Sequence, residues 1–191
     1  MTKSELRKIY LKTRNSLSTD EMAEKGRRIA DRFFANIDLC KVRNLHCFIP
    51  IAKFREIDTS PIYKKVWTDF PFIRTITSRI DRERVAIESV AFAAETEFVE
   101  NAWGISEPAN GESLNAVEID IVLVPLLCFD EQGFRVGYGK GFYDKLLANC
   151  RPDCVKIGLS YFPPVKRIND VADHDAGLDR CVTPEKTFSF R

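Results

Sequence analysis

The chain of 191 residues lacks most of the simple signposts of function. Its two histidines, His46 and His174, lie far apart, and none of its six cysteines (Cys40, Cys47, Cys128, Cys150, Cys154 and Cys181) forms a Cys-x-x-Cys pair, which argues against a zinc site. No apolar run approaches the roughly 20 residues of a membrane span. The N-terminal Met1-Thr2-Lys3-Ser4-Glu5-Leu6-Arg7 carries no apolar leader. Formal net charge is +1, so no excess of one sign draws the chain to nucleic acid or to an anionic membrane. Repeats, low-complexity tracts and linkers are also missing, so one domain over residues 1–191 is expected. What remains is an ordinary globular composition, 45% hydrophobic and 30% charged, expected in the cytoplasm as a monomer with reduced thiols. Cys47 and Cys128 have apolar neighbours and read as buried core residues.

The hydrophobic pattern gives a coarse map. Leu6, Ile9, Tyr10 and Leu17 recur at helical spacing through residues 3–17. Ser18 and Glu21 have capping-box spacing and open a second helix, which turns Ile29, Phe33 and Phe34 inward and ends near Asn36. Residues 44–51 read as a first strand, and a helix from Asp58 buries Ile62, Val66 and Trp67. Further strands are expected at 72–77, 85–92, 119–125, 154–161 and 178–182, with 101–115 as loop. Strands alternating with helices predict a three-layer α/β fold, a mainly parallel sheet flanked by helices on both faces. In such sheets ligands bind beyond the carboxyl ends of the strands. The segment after Ile51 and the loop after Tyr161 fall at that edge.

So does the most informative stretch, Gly133-Phe134-Arg135-Val136-Gly137-Tyr138-Gly139-Lys140-Gly141-Phe142-Tyr143-Asp144. A buried strand precedes it and a helix follows, so a glycine-dense turn meets a helix N-terminus whose N–H groups lack internal partners. Arg135 and Lys140 add positive charge and Asp144 a carboxylate suited to a hard cation, which together suggest a nucleotide-phosphate site. The turn is neither G-x-G-x-x-G, since Phe142 stands where glycine is needed, nor Walker A, since Phe134 and Gly141 occupy its required positions. By itself it also fits a plain connection that needs positive φ angles.

The longer string Val124-Pro125-Leu126-Leu127-Cys128-Phe129-Asp130, Gly133, Arg135-Val136-Gly137-Tyr138-Gly139-Lys140-Gly141 and Tyr143-Asp144 resembles the signature of the 5-formyltetrahydrofolate cyclo-ligase (5,10-methenyltetrahydrofolate synthetase) family. Other segments resemble that family in the same order: Lys3-Ser4-Glu5-Leu6-Arg7 with Arg14, Glu56-Ile57-Asp58-Thr59, Gly104-Ile105-Ser106-Glu107-Pro108, and His174-Asp175, Leu178-Asp179 and Thr183. Phe142 and Ser106 depart from the usual tyrosine and proline, and residues 64–100 match in pattern only.

The resemblance implies a fold like that of CoA-transferases and sugar-phosphate isomerases. It also implies an enzyme that uses ATP and Mg²⁺ to convert 5-formyltetrahydrofolate to 5,10-methenyltetrahydrofolate, releasing ADP and phosphate. Formamide oxygen is a poor leaving group; transfer of the γ-phosphoryl to it lets the N10 amine attack, close the ring and expel phosphate. Such a transfer needs positioning and charge neutralisation more than a protein nucleophile. The resemblance implies catalytic roles for Arg135, Lys140 and Tyr143, and an ATP site made of Lys3, Ser4, Glu5, Leu6 and Arg7 with Arg135, Val136, Gly137, Tyr138, Gly139, Lys140, Gly141, Phe142 and Tyr143. It implies substrate contacts from Arg7, Ile51, Glu56, Trp103 and Tyr138, and Mg²⁺ held by Asp144 and Asp175.

Singly, these residues have plainer readings. Lys3 and Arg7 suit a solvated helix face, Glu56 a surface loop, Asp144 a dipole-stabilised first turn and Asp175 a turn cap. His174 could simply order its loop, and His46 reads as a core or edge histidine. A non-catalytic nucleotide- or folate-binding module on the same fold is the alternative to the enzyme. A module that had lost turnover would be expected to lack a phosphate contact or a metal carboxylate, and Arg135, Lys140, Asp144 and Asp175 are all present.

Overall fold

The computed structural model describes residues 1–81, 86–101 and 104–190. Two capping boxes start the chain. The Glu5 N–H donates to the Thr2 hydroxyl and the Thr2 N–H to the Glu5 carboxylate, opening α1 (Lys3–Asn15). Ser18 and Glu21 do the same for α2 (Thr19–Asn36), as their spacing predicts. The order continues with β1 (Asn44–His46), α3 (Ser60–Asp69), β2 (Arg74–Asp81), β3 (Ala86–Phe92), β4 (Phe98–Glu100), β5 (Ser106–Pro108) and β6 (Ser113–Leu114). It ends with β7 (Ile121–Pro125), β8 (Cys128–Phe129), β9 (Arg135–Val136), α4 (Phe142–Asn149), β10 (Val155–Leu159), β11 (Arg180–Val182) and β12 (Thr187–Ser189).

Eight strands form one sheet in the order β12-β11-β10-β7-β1-β2-β3-β6. The run from β11 to β2 is parallel, and antiparallel strands flank it on either side. Strand pleating sends neighbouring residues to opposite faces, and the core divides accordingly. Leu45 and Leu123 pack with Ile29 and Phe33 of α2 and Ile62 and Val66 of α3. Val122, Val124 and Ile76 pack with Leu146 and Leu147 of α4. The mainly parallel, doubly covered sheet is thus the expected one. A third, smaller cluster of Leu6, Cys128, Val136 and Ile168 docks α1 onto the β8–β9 hairpin. No described helix is long and apolar enough to cross a membrane.

Several elements differ from the sequence reading. The first strand stops at His46 rather than running to Ile51. Beyond Cys47 the backbone leaves the ladder: the Phe48 carbonyl accepts from the Thr59 hydroxyl at 2.6 Å, Pro50 has no N–H, and the Ile51 N–H donates to the Glu56 carboxylate. The segment 101–115 is not all loop, since it holds β5 and β6. The glycine turn does not follow β7 directly, because the β8–β9 hairpin intervenes. Asp130 ties that hairpin, accepting from the Gln132 and Phe134 N–H groups on one oxygen and from Ile168 N–H on the other. An antiparallel β12 follows β11, which the pattern does not predict.

Candidate active site

The glycine turn leaves β9 and enters α4 at the carboxyl edge of the sheet. Gly139 and Gly141 have φ of +83° and +69°, the left-handed region that glycine enters without strain. Gly141 is the N-cap of α4 and supplies no side-chain cap, so the N–H groups of the first turn have no partner within the helix. A Cβ placed on Gly137 or Gly141 would meet no heavy atom within 4 Å, so open space lies beside the backbone there. Lys140 is exposed and makes no hydrogen bond or ion pair among the described residues. Uncapped amides, free volume and an uncommitted cation together suit an anion.

Helix α1 lies across this turn, and beside the buried Leu6 its inward side carries a largely basic stripe. Lys3, Arg7, Tyr10 and Arg14 recur at spacings of four, three and four, the period of one helix face. Lys3 pairs with Asp175. Arg7 Nε donates to the Gly137 carbonyl at 2.9 Å, and its guanidinium would lie 3.2 Å from a Cβ on Gly139. Tyr10 packs edge-on against Phe162 at 5.4 Å. Arg14, 2% exposed, donates to the Tyr138 hydroxyl at 2.7 Å and to the Phe54 and Leu126 carbonyls.

Arg14 leads to Glu56. The chain turns back at Arg55, a non-glycine residue in the left-handed region at φ 51°, and the Glu56 carboxylate then accepts the Ile51 N–H at 2.7 Å. The Tyr138 hydroxyl donates to the same carboxylate, and the Tyr138 ring stacks on Phe54 at 4.6 Å. Glu56 is 8% exposed, and burial raises its pKa against the opposing effects of the Ile51 N–H, Tyr138 and Arg14. A buried carboxylate with one oxygen committed to the backbone can accept from an amino-pyrimidine edge with the other. Tyr138 belongs to both regions, since its backbone lies between Gly137 and Gly139 while its hydroxyl bridges Arg14 and Glu56.

The two candidate metal carboxylates meet at Arg135. Its guanidinium donates to Asp144 Oδ1 at 2.7 Å and to the Ala176 carbonyl, next to Asp175. Asp175 Oδ2 accepts from Lys3 and from the Ala172 N–H. Burial opposes ionisation of Asp175, but the Lys3 hydrogen bond, the Ala172 N–H and the Lys3 charge outweigh it and lower its pKa. Asp144 Oδ2 and Asp175 Oδ1 take no hydrogen bond from described residues. No cluster of three or more metal-binding side chains occurs among the described residues. Mg²⁺ does not require one, since it is commonly held by one or two carboxylates with water and phosphate. Lys3, Asp175 and Gly177 lie near or on a cavity of about 360 Å³, which Phe134, Leu178 and Phe190 also line.

The structure thus brings together Lys3, Arg7, Arg135, Tyr138, Lys140, Asp144 and Asp175 around the glycine turn, with Ile51 and Glu56 beside it. Tyr143 is half-buried in α4, where burial and the Glu56 charge raise its pKa. Phe142, half-buried, precedes it. Other predicted ATP residues point elsewhere. Glu5 is engaged in its capping box, Ser4 is exposed, and Leu6 and Val136 are core. Any part these four play falls to their backbone. Trp103 lies outside the described residues. The sequence reading gave no role to Arg14 or Phe54; the stripe at 3, 7, 10 and 14 was the available signal for the first, and nothing local marks the second.

An α/β enzyme with its candidate site at the carboxyl edge of a mainly parallel sheet is the class these features define. The profile of the 5-formyltetrahydrofolate cyclo-ligase family matches residues 1–184, and the chain belongs to that family. It is 27% identical over 181 residues to the 5-formyltetrahydrofolate cyclo-ligase of Mycoplasma genitalium, covering 94% of this chain and 97% of that protein. The Escherichia coli K12 enzyme of the same name is 24% identical, over 93% of this chain and 97% of its own length. Among solved structures, Aquifex aeolicus 5,10-methenyltetrahydrofolate synthetase superposes with a TM-score of 0.85 at 29% identity, covering 100% of this chain and 94% of that one. The Mycoplasma pneumoniae synthetase superposes at 0.75 and 22% identity, over 96% and 99%, a likeness of fold.

Proposed function

We propose that this chain closes 5-formyltetrahydrofolate to 5,10-methenyltetrahydrofolate with ATP and Mg²⁺, releasing ADP and phosphate, as a single-domain monomer in the cytoplasm. The observation that carries the reading is Tyr138, which joins the glycine turn to the Glu56 pocket through one side chain. A reaction between a nucleotide phosphate and a folate needs both held at adjoining positions.

The open backbone of residues 137–141 and the Lys140 ammonium suit the phosphates, with Lys3 and Arg7 closing over them from α1. Arg135 orients Asp144 and the 175–176 segment, so the carboxylates offer their unbonded oxygens to a cation. Bound Mg²⁺ would neutralise phosphate charge there. Glu56, kept in place by the Ile51 N–H, Tyr138 and Arg14, accepts the amino edge of the pterin. Tyr143 flanks the formyl group beside it.

The test is an absorbance assay for the methenyl product with purified protein. Product should form only when 5-formyltetrahydrofolate, ATP and Mg²⁺ are all present, and Asp144→Ala should abolish it. Product without nucleotide, or none with it, overturns the reading. Full activity in Asp144→Ala removes the metal role.

A further inference from the structure

His46 has no part in the site described so far, yet it is buried beside it. It ends β1 and is 0% exposed. It pairs in register with Ile76 of β2 and Val122 of β7, so pleating puts His46, Ile76 and Ser78 on the face that α4 covers. Its Nε2 lies 3.0 Å from the Ser78 hydroxyl oxygen. Ser78 in turn lies within hydrogen-bonding reach of the Tyr143 side chain and lowers its pKa against the effect of burial. The His46 and Tyr143 rings meet edge-on, with centroids 5.9 Å apart and planes at 83°. The other ring nitrogen, Nδ1, is buried and makes no geometric hydrogen bond among the described residues. Leaving such a group unmet is unfavourable, so packing alone does not explain a histidine here.

We propose that His46 is a positioning residue which, through Ser78, aims the Tyr143 hydroxyl at the formyl group. The proposal rests on the reading of Tyr143 as a wall of that pocket. Two tautomers are available to a neutral ring, and burial keeps it neutral by lowering its pKa to about 4. With the hydrogen on Nε2, the ring donates to Ser78, and the Ser78 hydroxyl donates to the Tyr143 oxygen. The phenol hydrogen is then left to point away from Ser78. In this arrangement the orphaned Nδ1 is a lone pair. Tyr143 feels both the Glu56 charge, which raises its pKa, and the Arg135 charge, which lowers it. A formyl group on nitrogen has amide character and two planar orientations. A fixed donor selects one of them and so presents its oxygen to the phosphate side.

The experiment measures steady-state cyclisation for His46→Phe and Ser78→Ala, each made alone and in a Tyr143→Phe background, with thermal melting of every variant. In the wild-type background both substitutions should lower kcat on the order of tenfold, the effect of one hydrogen bond, and leave KM for ATP unchanged. Ser78→Thr, which keeps the hydroxyl, should restore most of the rate. In the Tyr143→Phe background neither His46→Phe nor Ser78→Ala should lower kcat further. Equal losses with and without the phenol hydroxyl would overturn the relay while leaving Tyr143 in the pocket, as would unchanged kcat in folded Ser78→Ala. Full activity of Tyr143→Phe would overturn the reading of Tyr143 itself, and the relay with it.

Discussion

The two halves of the site are built in opposite ways. On the phosphate side the groups are open backbone amides such as Gly139, the exposed Lys140, and the partly buried Lys3–Asp175 pair, whose side chains are 20% and 14% exposed. On the proposed pterin side they are the buried Arg14 and Glu56 and the half-buried Tyr138, committed to one another. Exposed charges are individually weak contributors to folding and can rearrange when a ligand arrives. Buried networks are strong when complete and costly when broken, so they hold one geometry. On the proposed function the contrast suits the chemistry: a rigid frame would locate the pterin, and parts that can close over it would hold the nucleotide. It predicts that substitutions on the pterin side lower stability and substitutions on the phosphate side lower affinity.

The largest effect should come from Arg14→Leu. It strands the Leu126 and Phe54 carbonyls and leaves the Glu56 carboxylate without its cation. Each buried polar group left unmet costs about 1–3 kcal/mol, more where a charge is involved. Denaturant unfolding should show a loss of that size; a loss under about 1 kcal/mol would mean the network is no more committed than a surface pair.

The next effect is on pH dependence. His46 keeps a pKa of about 4 when folded against 6.5 for the free group. Between those values the unfolded chain binds the extra proton, so stability falls as pH drops from 6.5 to 4. At 1.36 kcal/mol per pKa unit the full change is about 3 kcal/mol. Glu56 works in the other direction, because its raised folded pKa favours the native state as pH falls. Melting curves across this range should therefore fall more steeply for wild type than for His46→Phe. Parallel curves would show that the ring is not held neutral.

How far each half was legible in the sequence follows the same division. The glycine run, its flanking strand and helix, and the charges at 135, 140 and 144 are local features, and each falls close to where the pattern puts it. The pterin side depends on long-range contacts. Arg14 and Tyr138 are 124 residues apart, and hydrophobic periodicity does not mark a buried arginine, because it counts that residue as solvated. Residues 44–51 read as strand because they are apolar, but side-chain bonds from Thr59 and Glu56 take over the backbone groups after Cys47. Two-residue strands such as those of the β8–β9 hairpin are too short to carry a period.

Gly139→Ala tests the boundary between the halves. A side chain at φ +83° is strained by about 1–2 kcal/mol, and the new Cβ would press on the Arg7 guanidinium at 3.2 Å. Since that guanidinium is the end of a flexible side chain, Arg7 should swing away rather than unfold the helix. A modest stability loss with a larger rise in KM for ATP is expected. A rise confined to the KM for folate would place the turn on the wrong side of the comparison.

Lys140→Ala should affect folding least. The side chain is exposed and bonded to nothing described, so unfolding free energy should stay within about 0.5 kcal/mol of wild type. Its expected effect is on nucleotide binding, with KM for ATP rising on the order of tenfold, the equivalent of one charge-assisted contact. Salt separates this charge from the buried ones. A solvent-facing ammonium is screened over about 10 Å at 0.1 M salt, so wild-type affinity for ATP should weaken with added salt and the variant's should weaken less. KM for the folate should be insensitive to salt in both proteins, because Arg14 and Glu56 are shielded. Equal salt dependence in wild type and variant would show that Lys140 does not meet the phosphates, and the division between a frame that locates and a surface that closes would lose its exposed half.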